Sequence, residues 1–201
     1  MENVLNKEQT DMLGEIGNIT MGNSATTLSM MLNQRVDITT PRVEIISRSQ
    51  ALDDYEKTCI FVQIHYVVGL TGNNVFILKE QDVLCMTDLM MGGAGNKEGE
   101  VTDLHLSAAS EAMNQMMGAA ATSMATMMET AVDISPPEVN RIDVESVKMF
   151  EKMFESNDQK FVKISFRIEI GDLIDSVMVQ LYPIDFAVEM CKKFRASKDK
   201  I

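Results

Sequence analysis

The sequence predicts an α+β fold of two αβββα units, which form one antiparallel sheet with helices packed on it and are related by a pseudo-two-fold axis. Two observations lead to this prediction. Residues 13–46 and 109–142 align at a constant offset of 96 without a gap, and 13 of the 34 positions are identical. Both copies continue into short apolar runs that are typical of hairpin-linked strands. We therefore expect one domain over residues 1–201, made of two repeats of about 1–98 and 99–201.

In the first copy, a long helix is expected from a capping box at Asn6 and Gln9 to about Asn33. The segment VDITTPRVEII that follows is extended, and its proline, Pro41, suits an edge strand or a bulge. CIFVQIHYVV and NVFILK flank GLTGN and predict a hairpin. EQDVLCMTDLMM then predicts a short amphipathic helix that ends at Gly92, which completes the first unit.

The glycine-rich, charged stretch GGAGNKEGE, which begins at Gly92, is expected to join the two copies as a linker turn. In the second copy a long helix is expected over about 104–131, and a last helix after Pro183, which is a favourable first-turn residue. The strands of this copy are expected near 138–147, 160–171 and 174–182. KMFEKMFESND, residues 148–158, has no counterpart in the first copy and is either a short helix or a loop.

Composition narrows the class of protein. Apolar residues at 45% and charged residues at 24% are typical of a globular chain and exclude a disordered or fibrous one. The net charge of −12 argues against nucleic-acid binding, because phosphate backbones repel such a chain. No apolar run is long enough to span a membrane, and the acidic, polar N-terminus does not resemble a signal peptide. A cytoplasmic location is therefore expected.

The cysteines and histidines do not form a recognisable metal motif. Cys59, Cys85 and Cys191 are far apart and odd in number, so we expect buried free thiols in a reducing compartment, with Cys85 in the core. His65 alternates with apolar residues and should be half-buried in a strand, whereas His105 should cap or pack the second long helix. Because no His, Cys and Asp cluster has metal-ligand spacing, we predict no bound metal.

Polar residues are repeated on one face of both long helices. Glu15 and Asn18 are three apart, and Gly22 continues the same face one turn on. The second copy repeats this face with Glu111, Asn114 and Gly118. A glycine inside a helix costs about 1 kcal/mol relative to alanine, so it serves either close packing or a smooth surface for a partner. Packing would preserve apolar residues first, and the retention of Glu and Asn therefore favours a functional face.

The chemistry available to such a face is limited. Asparagine is neither a base nor a nucleophile, but its amide accepts a hydrogen bond from water and donates one to an oxyanion. Phosphoryl transfer is a reaction in which positioning a water suffices, and an acyl phosphate makes the demand lighter still. The neighbouring glutamate can form a salt bridge with a lysine of an incoming partner.

LGEIGNITMGNSATTLS and SEAMNQMMGAAATSMA resemble the two active helices of the CheC/CheX/FliY family, phosphatases of the phosphorylated chemotaxis response regulator CheY. The resemblance covers essentially the whole chain, and VDITTP and VDISPP place it nearest to the central domain of the FliY branch, which belongs to the flagellar motor switch. It implies that Asn18 and Asn114 orient the attacking water and that Glu15 and Glu111 contact the regulator. It also implies no cofactor on this chain, with magnesium held by the regulator beside its phosphoaspartate.

The same resemblance implies the partners: phosphorylated CheY, switch proteins of the FliM, FliG or FliN type in the FliY case, and the deamidase CheD in the CheC case. The expected place is the cytoplasmic face of the flagellar basal body. Two parts common in FliY proteins, an N-terminal CheY-binding peptide and a C-terminal FliN-like domain, are not found in these 201 residues. The chain is thus expected to be the central part of a longer protein or a shorter member nearer CheC.

Three other interpretations remain to be compared. GGAGNKEGE lacks the GK[ST] ending of a phosphate-binding loop and does not lie between a strand and a helix. Glu15 and Glu111 are a conceivable glycosidase pair, but the chain has no Trp and only three Tyr to form a sugar platform. The main alternative is a non-catalytic CheY-binding or scaffold module of the motor switch. Binding alone gives no reason to retain Asn18 and Asn114.

Overall fold

The computed structural model describes residues 5–47, 50, 59–142, 148 and 160–200. Its helices are α1 (Lys7–Leu32), α2 (Glu80–Met90), α3 (Asp103–Met128) and α4 (Ile184–Lys198). Its strands are β1 (Val36–Ser47), β2 (Cys59–Val68), β3 (Gly72–Lys79), β4 (Asp133–Ile134), β5 (Glu138–Arg141), β6 (Lys160–Ile170) and β7 (Ile174–Pro183). With β4 and β5 together in the place of β1, the order of elements repeats αβββα, as predicted.

The strands of the two copies interleave in one antiparallel sheet. Within the described part of the chain the order is β1-β6-β7-β3-β2, and both β4 and β5 pair with the outer edge of β2. The equivalent strands β3 and β7 pair at the centre. The first strand of each copy pairs with the second strand of the other copy. This arrangement is symmetric about an axis between β3 and β7 and confirms the predicted pseudo-two-fold relation.

The first strands of the two copies differ at their prolines. β1 continues past Pro41 with a shift of register between Thr39 and Arg42, which agrees with the predicted bulge. In the second copy, residues 135–137 separate β4 from β5, because two consecutive prolines there remove the N–H groups that a ladder needs. The predicted strand over 138–147 is described only to Arg141. Residues 143–147, and nearly all of the predicted helix or loop at 148–158, lie outside the described residues.

The helices cover one face of the sheet, and strand periodicity determines which side chains they meet. Phe76 and Phe166 belong to the main apolar cluster, together with the buried side chains of the helices. Phe61, Phe161 and Leu181 form a second cluster. It lies on the opposite face, because successive side chains of a strand point to opposite faces of the sheet. The sheet is therefore apolar on both faces, and α1 and α3 rest on the larger cluster.

Both long helices begin and end in the same way. In α1 the Asn6 N–H donates to Gln9 Oε1 at 3.0 Å and the Gln9 N–H donates to Asn6 Oδ1 at 2.8 Å, which confirms the predicted capping box. In α3 the Thr102 N–H donates to His105 Nδ1 at 2.9 Å, so His105 has the predicted capping role. The C-cap residues that follow the helices, Asn33 and Glu129, are 96 positions apart and both have the left-handed conformation. α3 is thus shorter than the predicted 104–131.

The linker between the copies is a turn organised by Asp88, near the end of α2. The Asp88 carboxylate accepts the N–H groups of Gly95 and Asn96, both at 2.8 Å. These bonds, from Asn96 first and Gly95 second, lower the pKa of Asp88. The Lys97 ammonium donates to the Leu173 carbonyl and joins the linker to the β6–β7 turn. The predicted linker turn is confirmed. The N–H groups of Gly95 and Asn96 are already bonded to the Asp88 carboxylate.

Candidate functional site

The repeated polar residues lie on the outer side of the two long helices. We call Glu15, Asn18 and Gly22 on α1 the first face. We call Glu111, Asn114 and Gly118 on α3 the second face. Both glutamates and both asparagines are exposed, as predicted, because residues three or four apart share one side of a helix. Their predicted roles in water positioning and docking stay predictions at this point.

The inner side of each long helix packs on the sheet. Because of their apolar side chains, Ile16 and Ile19 in α1 and Met113 and Met116 in α3 are expected from the sequence to lie on this side. Ile16, Met113 and Met116 are buried, as expected. Ile19 was expected to face the core as well, but its side chain is 40% exposed, so that prediction is wrong. Ile19 lies four positions after Glu15, which places it on the same outward side of α1. Its counterpart on α3 at the offset of 96 is Gln115, which is also exposed.

The two helices contact each other beyond the faces. The Ser24 hydroxyl donates to the Met116 carbonyl at 2.9 Å, and Asn23 Nδ2 donates to Ser123 Oγ at 2.6 Å. After subtraction of the offset of 96, the residues of α3 in these contacts correspond to positions close to 23, the same place on α1. The two helices therefore cross near this position, and the pseudo-two-fold axis passes close to the crossing. Each Asn of a face lies about five residues before the crossing, or about 7 Å along its own helix. The two faces therefore lie on opposite sides of the crossing, as two separate places.

The helix glycines divide into two groups by their surroundings. A Cβ on Gly17 would lie 3.3 Å from two ring atoms of Phe166, so Gly17 permits close packing of α1 on the sheet. A Cβ on Gly14, Gly22 or Gly118 would meet nothing within 4 Å. Packing within this chain therefore does not explain Gly22 and Gly118, one turn beyond Asn18 and Asn114. Their helix cost of about 1 kcal/mol each is consistent with a surface that a partner approaches closely.

The carboxylate of the first face is paired with a cation from the last helix. Lys198 Nζ lies 3.0 Å from Glu15 Oε1 and 3.1 Å from Oε2. The same ammonium lies 4.6 Å from the centroid of the Phe194 ring. Beside this pair, Arg195 forms an ion pair with Glu8, which raises the pKa of Arg195. Neither cation was among the residues predicted from the sequence. The available signal was spacing: Glu8 and Glu15 are seven residues apart in α1, and Arg195 and Lys198 are three apart in α4, so each pair of like charges shares one side of its helix.

The carboxylate of the second face has a different neighbour. Glu111 Oε1 accepts a hydrogen bond from Gln115 Nε2 at 2.9 Å, within the same helix. Among the residues that the structure describes, no Lys or Arg is paired with Glu111. The amide of Gln115 carries no charge, so the second face keeps a full negative charge that is open to solvent.

Among the described residues, the three cysteines and His65 are not grouped as a catalytic site would require. Burial raises the pKa of Cys191 to about 11 and also raises the pKa of Cys85, so both thiols are protonated at neutral pH. These two cysteines are buried as predicted, whereas Cys59 is partly exposed. His65 is half-buried, as expected, and contacts Gln63 and Asn73. Within the described ranges, no group of three or more His, Cys, Asp or Glu could hold a metal.

The faces thus offer amide and carboxylate groups on rigid helices. Such groups can hold a water in place and pair with a charged atom of another molecule. Because the groups are exposed on helix surfaces, a reacting atom carried by a protein partner can reach them. Among the described residues, no helix is both long and apolar enough to cross a membrane.

Comparison with known families matches both repeats. The model of the CheC-like family matches residues 8–45 and 104–141, which contain both faces. The chain is 43% identical over 195 residues to the flagellar motor switch phosphatase FliY of Bacillus subtilis, covering 96% of this chain and 51% of that protein. It is 29% identical over 149 residues to the CheY-P phosphatase CheC of the same organism, covering 69% and 68%. The chain therefore spans about half the length of that FliY.

Solved structures share the fold. FliY of Thermotoga maritima matches with a TM-score of 0.88 and 37% identity, over 96% of this chain and 99% of that one. A chain of the FliG–FliM complex from H. pylori matches with a TM-score of 0.75 and 17% identity, over 94% and 100%. A chain of the CheX–CheY–BeF3–Mg complex from Borrelia burgdorferi matches with a TM-score of 0.54 and 12% identity, over 81% and 94%. The last two, at such low identity, show a common fold alone.

Proposed function

The chain belongs to the CheC-like family, and from this premise we propose that it is a phosphatase that hydrolyses the aspartyl phosphate of a phosphorylated CheY. The observation that carries the proposal is the exposed pair of Glu and Asn present on both long helices, inside the segments that the family model matches. Two relatives support the reaction by their names, the motor switch phosphatase FliY and the CheY-P phosphatase CheC.

In the proposed reaction, Asn18 or Asn114 accepts a hydrogen bond from a water and holds it in line with the phosphorus. The oxygen of this water forms a new bond to phosphorus while the bond between phosphorus and the aspartyl oxygen breaks. The electron pair of that bond leaves with the aspartate, which becomes a carboxylate. The proton lost by the water is carried by the departing inorganic phosphate or by solvent. Magnesium on the regulator would neutralise charge on the phosphoryl oxygens.

Docking is the proposed role of the glutamates. Glu15 and Glu111 each lie one turn before the asparagine of their face, so a cation paired with the glutamate would hold the regulator beside the amide. An ion pair at an exposed position is worth at most about 1 kcal/mol, so it orients and selects more than it binds. The bare helix surface at Gly22 and Gly118 would let the backbone of the regulator approach.

We further propose that the protein acts at the flagellar motor switch, on the cytoplasmic face of the basal body. The relative with 43% identity is named as a flagellar motor switch protein, which supports this place. Partners of the FliM, FliG or FliN type belong to the same proposal, and a FliG–FliM complex contains the same fold. Dependence on CheD stays a prediction that applies only if the protein acts as a CheC.

A non-catalytic role in binding CheY or in the switch scaffold is the second candidate function. The fold occurs in a FliG–FliM complex at 17% identity, so the fold alone does not imply catalysis. The two candidates differ in their need for asparagine. A docking surface needs charge and shape, whereas water positioning needs the amide of Asn18 or Asn114.

The deciding experiment measures phosphate release from phosphorylated CheY with this protein at substoichiometric amounts. The double variant Asn18→Ala with Asn114→Ala should return the rate to that of the regulator alone, while thermal unfolding stays unchanged because both side chains are exposed. Asn140→Ala, an exposed asparagine on β5 outside both faces, is the matched control and should keep the full rate. Catalysis by the folded double variant would remove the water-positioning role. Absence of catalysis by the unaltered protein would favour the scaffold.

A further inference from the structure

The last helix is one turn longer than its counterpart in the first copy, and this turn carries the cations near the first face. Counted from their N-caps, Lys79 and Pro183, α2 has 11 residues and α4 has 15. α2 ends at Met90 because a left-handed glycine, Gly92, and the turn bound by Asp88 follow it. Within the described residues, α4 has no such turn after its eleventh residue and continues to Lys198. Lys198 therefore lies in the additional turn of α4, which α2 lacks.

Lys198 is held at Glu15 by two contacts. Its ammonium is within 3.1 Å of both carboxylate oxygens of Glu15 and stacks over the buried ring of Phe194. The parallel ion pair between Arg195 and Glu8 fixes the same turn of α4 against α1. The Glu15 carboxylate therefore already has a cationic partner from its own chain.

None of these cations has an equivalent near the second face. The position equivalent to Arg195, counted from the N-cap, is Met91, and the position equivalent to Lys198 is Ala94. The position equivalent to Glu8 at the offset of 96 is Leu104. Met91 and Leu104 are both large, exposed apolar side chains. The described residues thus place a cation at the first glutamate and leave the second glutamate with an amide neighbour, Gln115.

We propose that Lys198 is a specificity-determining residue that makes the second face the preferred docking site. A cation of the regulator must displace Lys198 before it pairs with Glu15, whereas Glu111 accepts it directly. This inference rests on the docking role proposed above for the glutamates. It assigns the choice between the two faces to a residue that belongs to neither.

The size of the effect follows from the exposure of the pair. The side chains of Lys198 and Glu15 are 53% and 47% exposed, so solvent screens their attraction. Removing such a competitor should strengthen docking at the first face by about two- to fivefold. The effect should shrink as salt approaches 1 M, where the Debye length falls to about 3 Å.

The test is a binding titration with CheY carrying BeF3 and Mg²⁺, performed in variants that isolate one glutamate. In a Glu111→Gln background, where only the first face keeps its carboxylate, Lys198→Met should lower the Kd about two- to fivefold. Lys198→Arg should leave it unchanged, because the guanidinium retains the charge. In a Glu15→Gln background, Lys198→Met should have no effect. An unchanged or raised Kd for Lys198→Met in the Glu111→Gln background would overturn the proposal.

Lys200→Met is the matched control, since Lys200 pairs with Glu129 at 3.3 Å and the pair is 65% and 50% exposed. It removes a similar surface cation from the same end of the chain and should leave the Kd unchanged in both backgrounds. An equal shift for Lys200→Met and Lys198→Met would show only a change of net charge, and it would overturn the proposal.

Hydrolysis measured in parallel separates this inference from the proposed function. A lower Kd for Lys198→Met without phosphate release by any variant would uphold the choice of face and reject catalysis. Phosphate release with no effect of Lys198→Met on the Kd would uphold catalysis and reject the choice of face. No detectable binding by any variant, including the unaltered chain, would reject both.

Discussion

The first and second faces present the same residue types to solvent, yet their surroundings differ. Glu15 is paired with a cation from α4, whereas Glu111 is bonded to an uncharged amide one turn on in its own helix. At the position after the asparagine, α1 has the exposed Ile19 and α3 has Gln115. The two copies therefore share the Glu and Asn proposed for function, but they differ in the residues beside the glutamates, which determine the local charge.

The divergence originates far from either face. α2 stops at the turn held by Asp88, whereas the described part of the chain has no such turn before Lys198, the last residue of α4. A difference of one helical turn in a supporting helix therefore changes the electrostatics of a face on another helix.

Single asparagine variants should divide the phosphatase rate unequally. If the second face docks the regulator first, Asn114→Ala should remove the larger share of the rate and Asn18→Ala the smaller share. The measurement is the initial rate of phosphate release at a CheY concentration below saturation, where docking determines the rate. Equal losses would show that Lys198 and Gln115 do not distinguish the faces.

Charge reversal should weaken docking more at the second glutamate. Glu111→Lys replaces an attraction by a repulsion and should raise the Kd for CheY by about five- to tenfold at low salt. Glu15→Lys should have a smaller effect, because Lys198 already offsets part of the charge of Glu15. Titrations at two salt concentrations check this, since both effects should decrease as ionic strength rises. If neither substitution alters the Kd at low salt, the glutamates are solvated surface only.

Glycine substitutions should distinguish a glycine on the exposed surface of a long helix from one that permits close packing on the sheet. Gly118→Ala should raise the free energy of unfolding by about 0.5–1 kcal/mol, because alanine favours the helix and its Cβ meets open space. The same methyl group should weaken CheY binding. Gly17→Ala is the contrast, since its Cβ would press on the buried ring of Phe166.

Urea unfolding and CheY titration check these glycine variants together. Gly17→Ala should be less stable than Gly118→Ala and should not alter the surface that the regulator meets. A Gly118→Ala variant that is more stable and binds CheY as tightly as the unaltered chain would show that the glycine does not serve the partner.

The smallest effect on function is expected at the turn that ends α2. The N–H groups of Asn96 and Gly95 lower the pKa of Asp88 in the folded chain, so its ionised form stabilises the fold. This stability is present above the ordinary carboxyl pKa of about 4 and is lost as the pH falls through the lowered folded value. Asp88→Asn should therefore be less stable than the unaltered chain at pH 7.

The difference in stability between Asp88→Asn and the unaltered chain should disappear at low pH. The proposed phosphatase activity of the variant at pH 7 should equal that of the unaltered chain. Urea unfolding at neutral pH and at about pH 2 checks the first outcome. A stability difference that persists at the lower pH would mean that the introduced amide fails for steric reasons and not through lost charge.

Much of the fold was predictable because its signals are local. The capping box at Asn6 and Gln9, the 3.6-residue period of the long helices and the hairpin around GLTGN all depend on residues a few positions apart. The exposure of Glu15 and Asn18 followed from the same period. The prediction for Ile19 was wrong because its apolar type was given more weight than its place on the helix, four residues after Glu15.

The internal repeat, the αβββα order and the two helix faces follow from the amino-acid sequence, because the period of a helix fixes which neighbours along it share a side. The interleaving of the strands of the two copies and the contact between Lys198 and Glu15 became visible in the three-dimensional structure alone. Those two residues are 183 positions apart, and their contact depends on the length of α4 and on the way it packs against α1. Such contacts arise from the packing of whole elements, which no local pattern records.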